Sequence, residues 1–226
     1  GRVLLPNKYG DNGWYGYTPN QHTDVQRDIY LFTFDPADRR HLAADPWFQF
    51  LDGKNPSYPE KQFEAAHDRL RRRLESMRAD KNTPDTRPSD GAQRYSPIET
   101  ETLVNLMLGA NDPGRSGNIL HAPIRYFDPL RRRAGLPGDV AALVTNIAAD
   151  RITVTLVNTN PTAARDVIIQ SGAYAEHRFT SLKTPTASTT LDTTSIRFRL
   201  APGAGAPITL GLKRLVNQPT AKHPWD

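Results

Sequence analysis

The stretch DRITVTLVNTN, residues 150–160, decides the fold class. Ile152, Val154 and Leu156 fall two apart, so on an extended chain they share one face. Working outward, RDVIIQSGAY follows, then EHRFTSLK, STTLD, SIRFRL and PITLGLKRL. Each segment is short, rich in strand-forming side chains and set off by Asn, Pro, Gly or Asp. Upstream, residues 140–147 read either as a strand joined to 151–158 through a hairpin at 148–150, or as a short helix. Six or seven short strands at regular spacing predict an antiparallel β-sandwich over residues 138–226.

The chain from residue 1 to 137 follows a different grammar, and the fold class expected is α+β in two parts: an irregular, helical N-terminal part followed by the sandwich. In EKQFEAAHDRLRRRLESMRA, residues 60–79, Phe63, Ala66, Leu70, Leu74 and Met77 recur at three- and four-residue steps and form one apolar stripe. Ser57 stands three before Glu60, the spacing of a capping box, and Pro59 suits a first turn. A second helix is expected over 97–108. Ser96 would cap it, Glu99 would complete the box, Leu103, Leu106 and Met107 would be buried, and Gly109 would stop it. Asp35 could cap a short helix beginning at Pro36. Residues 28–34, DIYLFTF, fit a strand or the end of a helix equally well.

Composition narrows the function classes. The chain has 226 residues, 29 basic against 24 acidic, and a formal charge of +5. That excess is mild. The runs at Arg71–Arg73 and Arg131–Arg133 read as solvated faces rather than as a nucleic-acid stripe with interleaved aromatics. No cysteine is present, which excludes disulfides, zinc–thiolate sites, iron–sulfur clusters and thiol catalysis, and leaves the compartment open between export and cytoplasm. No apolar run approaches the ~18 residues of a membrane helix. The first residues, GRVLLPNKYG, carry neither an initiator Met nor a signal-peptide pattern, as expected of a processed or excised piece.

Two segments of the C-terminal half, ITVTLVNTNPTAARDVIIQSG and SIRFRLAPGAGAPITLGL, together resemble the accessory β-sandwich domain that closes many carbohydrate-active enzymes. A strand ends in an Asn-containing corner. The closing pair runs through Phe198, Leu200, Pro202, Gly203, Leu210 and Leu212. The resemblance covers roughly residues 140–215 and contains no catalytic motif. It implies that the sandwich is a support packed on a catalytic barrel, with the helices of 1–137 as the end of a helical barrel. Two or three helices cannot close a barrel, so the remainder would come from another polypeptide chain or from a missing N-terminal domain.

The candidate site lies in DNGWYGYTPNQHTD, residues 11–24. Sugar sites combine flat rings with polar side chains. Trp14, Tyr15, Tyr17, Asn20 and Gln21 are the candidate substrate-binding residues; the competing reading has the rings pinning this loop to a core. His22 and Asp24 are two apart, which on a strand gives them one face, and Asp28 would approach through a turn. These three are the candidate catalytic residues for acid–base chemistry. Glycoside hydrolysis needs two carboxylates facing each other across the bond, and Asp24, Asp28, Asp35, Asp38, Asp45 and Asp52 supply more candidates than the sequence can sort.

No metal or cofactor is expected: the histidines are scattered, and GANDPGRSGN at 109–118 lacks the Lys and spacing of a phosphate loop. LHAPIRYFDP, 120–129, reads as a strand edge with Arg125 facing a site, or as a linker strapped down by Ile124, Tyr126 and Phe127. The sequence thus supports two functional readings. One is the C-terminal portion or subunit of a larger carbohydrate-processing enzyme, glycosidase- or lyase-like, needing residues from another chain. The other is a non-catalytic binding or assembly subunit whose loop aromatics lie in an interface.

Overall fold

A computed structural model describes residues 23–83, 85–86, 98–113 and 120–226, and the backbone alone of 4–6 and 14–16. The last two segments are the strands β1 (Leu4–Pro6) and β2 (Trp14–Gly16), paired antiparallel. Among the described residues the helices are α1 (Thr23–Thr33), α2 (Pro36–Arg39) with a 3-10 turn at Arg40–Leu42, α3 (Pro46–Leu51), α4 (Tyr58–Ala79) and α5 (101–108). The ambiguous segment 28–34 is therefore helical up to Thr33. Asp35 and Asp45 each precede a proline, and each accepts from the first free backbone N–H groups of its helix: Ala37 N for Asp35, Trp47 N and Phe48 N for Asp45.

Nine strands complete the chain. β3 (Ile124–Asp128), β4 (Arg133–Ala134), β7 (Arg165–Ser171) and β10 (Ser195–Leu200) form one antiparallel sheet in the order β10-β7-β3-β4. The other sheet has the order β5-β6-β11-β8-β9, from β5 (Val140–Ala148), β6 (Arg151–Asn158), β8 (Arg178–Lys183), β9 (Ser188–Thr193) and β11 (Gly205–Lys213). The two are arranged as a sandwich. Ile152, Val154 and Leu156 are fully buried between them, as the period of two requires, and face Val167 and Ile169 of β7 within one cluster. Residues 140–147 are a strand, paired with β6 through the expected hairpin. Residues 124–128 are a strand as well, paired with β7 inside the four-stranded sheet rather than forming a linker or facing a site. The apolar core runs without a break from Val154 and Leu210 through Tyr126 to Trp47, Phe48 and Leu106 of the helices.

The Asn corner holds the sandwich closed. Asn158 is fully buried at the end of β6, and its amide donates to the carbonyls of Ala163, Leu200 and Ala201 at 2.9, 3.3 and 3.0 Å. Its own carbonyl oxygen accepts from Asn160 N. One side chain at the end of β6 thus satisfies groups on both connections, β6–β7 and β10–β11, that cross between the sheets.

Helix ends departed from the sequence expectation in two places. Ser57 makes no capping bond to α4. Glu99 does not complete a box either; its carboxylate takes two parallel bonds from Arg69 of α4 and lies 3.7 Å from Arg73. Ser96 and Pro97 lie outside the described residues. Residues 104–108 form a wider π turn, which shifts the phase of α5, so Thr102, Asn105 and Leu106 are buried and Leu103 is exposed. Gly109 does end the helix, in the left-handed conformation, and a side chain there would meet Ile147 of β5 at 2.9 Å.

Replacing Asn158 with Ala leaves three part-buried carbonyls short of a donor. We expect it to lower unfolding stability by about 2–3 kcal/mol, read from urea unfolding, with no change in the slope of the transition.

Candidate functional site

Of the candidate site residues, Tyr17, Asn20, Gln21 and His22 lie outside the described residues, as do the side chains of Trp14 and Tyr15. Asp24 and Asp28 are described, and their setting corrects the strand reading. Both lie on α1, four residues apart, so they share a helix face one turn from each other. Asn111, just past the end of α5, joins them: its amide donates to the Asp24 carbonyl and to Asp28 Oδ1, each at 3.0 Å.

Around this contact a cleft of about 370 Å³ opens between α1, α4 and α5, lined by Asp24, Arg27, Arg73, Glu99, Glu101 and Asn111 among others. The Asp28 carboxyl is bonded to Asn111 of the cleft lining, and its pKa is raised. Partial desolvation is the main cause; the Asn111 hydrogen bond opposes it, Asp24 adds to it, and His121 and Arg27 work against it. A carboxyl displaced upward beside a second carboxylate is the arrangement from which acid and base roles are drawn. The other acids named from the sequence are engaged elsewhere. Asp35 and Asp45 cap helices, Asp38 accepts from Thr33, and Asp52 pairs with Arg39 at 2.7 Å. Asp24 and Asp28, lying side by side, do not face each other across a gap as a glycosidase pair must.

Two anchors position α1. Near its start, Arg27 Nε binds the buried Asp45 at 2.8 Å and its guanidinium lies over Trp47, at 5.6 Å. At its end, the Leu31 carbonyl accepts from His121 Nε2 and from Arg214, which also reaches the Phe32 carbonyl at 2.7 Å. Behind His121 stands the buried His177, its ring edge-on at 6.2 Å. His177 Nδ1 accepts from Leu215 N, so its proton is on Nε2, 4.0 Å from Glu176. Glu176 is fixed in turn by the N–H groups of Ala173 and Tyr174. A water-sized cavity lies among His121, His177, Arg214 and Leu31.

Asn111, Glu176, His177 and Arg214 were not candidates from the sequence, and His121 stood out only as one of the polar residues of the segment 120–129. The two histidines are 56 positions apart, and only the fold unites them. His67 is exposed on α4. Among the described residues no group of three or more His, Asp or Glu could hold a metal ion, and no helix is long and apolar enough to cross a membrane.

A family model described as a domain of unknown function, DUF8034, matches residues 42–104, which run from before α3 into α5. No curated protein matches the chain. Among solved structures, a Bacteroides fragilis NCTC 9343 protein described as a "putative alpha-galactosidase" is 20% identical over 37% of this chain, with a TM-score of 0.28. The chain spans 18% of that protein's length. A likeness of that size fixes neither fold nor activity.

Burial holds His177 below the usual histidine range; Arg214 and His121 push the same way and Glu176 opposes them. The unfolded chain therefore takes up a proton near pH 6.5 that the folded chain resists. Stability is expected to be level above that pH and to decline as pH falls below it. Urea unfolding across this range should show the decline, and His177→Gln should flatten it.

Proposed function

We propose that the chain is the C-terminal supporting portion of a larger carbohydrate-processing enzyme, glycosidase- or lyase-like. Its helical layer meets the catalytic portion, and Asp28 supplies acid–base chemistry at the shared site. The observation that carries this reading is the double character of α1. Its inner face is anchored to the core through Leu31, yet Val25, Ile29 and Phe32 are 48%, 47% and 59% exposed and recur at four- and three-residue steps. A helix apolar on two faces belongs between two partners. Val25 and Ile29 directly follow Asp24 and Asp28 on the helix, so a partner covering the stripe would lie next to that pair.

The apolar stripe of α4 supports the same reading. Ala66 is buried, but Phe63, Leu74 and Met77 are exposed. The helix packs on α3 and α5, and these exposed residues leave apolar surface along it. In the division of labour that the Asn corner and the closing strand pair suggest, the sandwich is scaffold. The opposing carboxylate, which α1 does not provide, would come from the catalytic portion, along with the rest of a helical barrel. The aromatic segment at 14–17 would border the sugar site.

The same exposed stripes suit a non-catalytic assembly subunit, and the two readings differ in what Asp28 does. The test is a set of substitutions in the native particle, assayed on a panel of nitrophenyl glycosides and on polysaccharide. Asp28→Asn is expected to reduce turnover by about a hundredfold or more, in the range of lost acid–base catalysis, while the particle stays assembled. Val25→Asp with Phe32→Asp is expected to release the chain from its partner. Full activity in Asp28→Asn would leave only the assembly reading, and an intact particle in the double variant would remove α1 as the docking face.

A further inference from the structure

A second site lies on the outer face of the four-stranded sheet, away from the α1 cleft. Here a groove of about 440 Å³ is lined by Arg132, Ile168, Ser195, Arg197 and Trp225 among others. That volume falls within the ~300–1,000 Å³ typical of ligand pockets. Its floor is set by register: Arg197 pairs with Ile168, and Ile168 with Phe127, so the three stand in one row across β10, β7 and β3. Trp225 of the C-terminal strap lies edge-on to Phe127 at 5.6 Å and is stacked on His223 at 5.0 Å. The strap thus makes one wall, with a ring held upright against the sheet.

The same wall is continued by the β3–β4 turn. Asp128 is buried and accepts from the N–H groups of Leu130 and Arg131. Arg132 follows in the left-handed conformation, φ +46°, an unusual backbone for a residue with a side chain. The turn sends its guanidinium to 5.9 Å from the centre of the Trp225 ring. An arginine resting on an aromatic ring keeps its in-plane N–H groups for a planar anion. Across the groove, Arg197 shares the Asp166 carboxylate with Arg199, so two guanidiniums face one acid and the row stays positive.

We propose that this groove binds a carboxylated sugar, a uronic acid residue of an oligosaccharide. The saccharide part rests on the carbohydrate reading above. The carboxylate part rests on Arg132 and Arg197 alone. A bare anion would use the guanidiniums but neither Ile168 nor the ring of Trp225. A neutral sugar would use the apolar floor and the Ser195 hydroxyl but make no use of the charge of Arg132 and Arg197, both exposed at the groove. A uronate uses all of them: its carboxylate meets the arginines, its C–H face meets Ile168 and Trp225, and a ring hydroxyl meets Ser195. The run Arg131–Arg133, which reads in the sequence as a solvated face, thereby gains a role for its middle member.

The experiment is calorimetric titration of the whole chain with trigalacturonate, with its methyl ester and with inorganic phosphate. The acid is expected to bind, and the ester, which keeps the rings and loses the charge, to bind about tenfold or more weakly. Arg132→Ala and Trp225→Ala are each expected to weaken the acid by about tenfold with unchanged thermal unfolding, and Asp28→Asn to leave it unaltered. Equal binding of acid and ester, no binding of either, or an Arg132→Ala chain that binds as before would overturn the proposal. So would phosphate binding as tightly as trigalacturonate. None of these outcomes touches the α1 docking face or the role of Asp28, which are read from assembly and turnover.

Discussion

The Leu31 carbonyl, at the last turn of α1, is where the helical layer is fixed to the sandwich. It accepts from His121, on the segment entering β3, and from Arg214, just past β11. The carbonyls at a helix end lack partners within the helix and carry partial negative charge, so a guanidinium and an imidazole N–H suit them. Arg214 also lies over the Phe34 ring at 4.5 Å. Phe34 leaves the helix with φ +53°, a conformation that side chains rarely adopt, and the arginine helps to hold it there. Residues far apart in the sequence thus fix one helix end, and everything displayed by α1 takes its orientation from that contact.

The direction of α1 has two consequences. It places Asp24 and Asp28 over Asn111, which joins the helix to the end of α5. It also turns Val25, Ile29 and Phe32 outward as a continuous apolar edge. Arg27 prevents the helix from swinging about its far end, since its salt bridge with Asp45 links α1 to the cap of α3 and its guanidinium lies over Trp47. The helical layer is therefore rigid where it meets the core and apolar where it does not. That asymmetry leads us to read the chain as part of a larger particle.

The sandwich was legible because a period of two, repeated in Ile152, Val154 and Leu156, has one physical explanation: a half-buried strand. The Asn corner was legible as well, though its reason was not, because the three carbonyls bound by Asn158 come from two separate stretches. β3 was harder to read. Ile124, Tyr126 and Phe127 are buried on both faces of a central strand, which removes the alternation that would have marked it. The stripe of α4 was visible as a stripe, but periodicity cannot say whether a face meets the core, and beyond Ala66 this one does not. The site was the least legible part. Asp24 and Asp28 were singled out on a strand geometry that is helical, and Asn111 and His177 carry no local pattern at all. Their relation arises from tertiary packing, which a single sequence does not encode in its spacing.

The most direct measurement of the central claim is the native mass of the particle that contains this chain, taken from its source under non-denaturing conditions. The account predicts a mass well above the 25.2 kDa of the chain, with the additional polypeptide, joined covalently or not, cross-linking to residues 25–32 of α1. A monodisperse particle of 25.2 kDa, with Val25, Ile29 and Phe32 open to solvent, would contradict it.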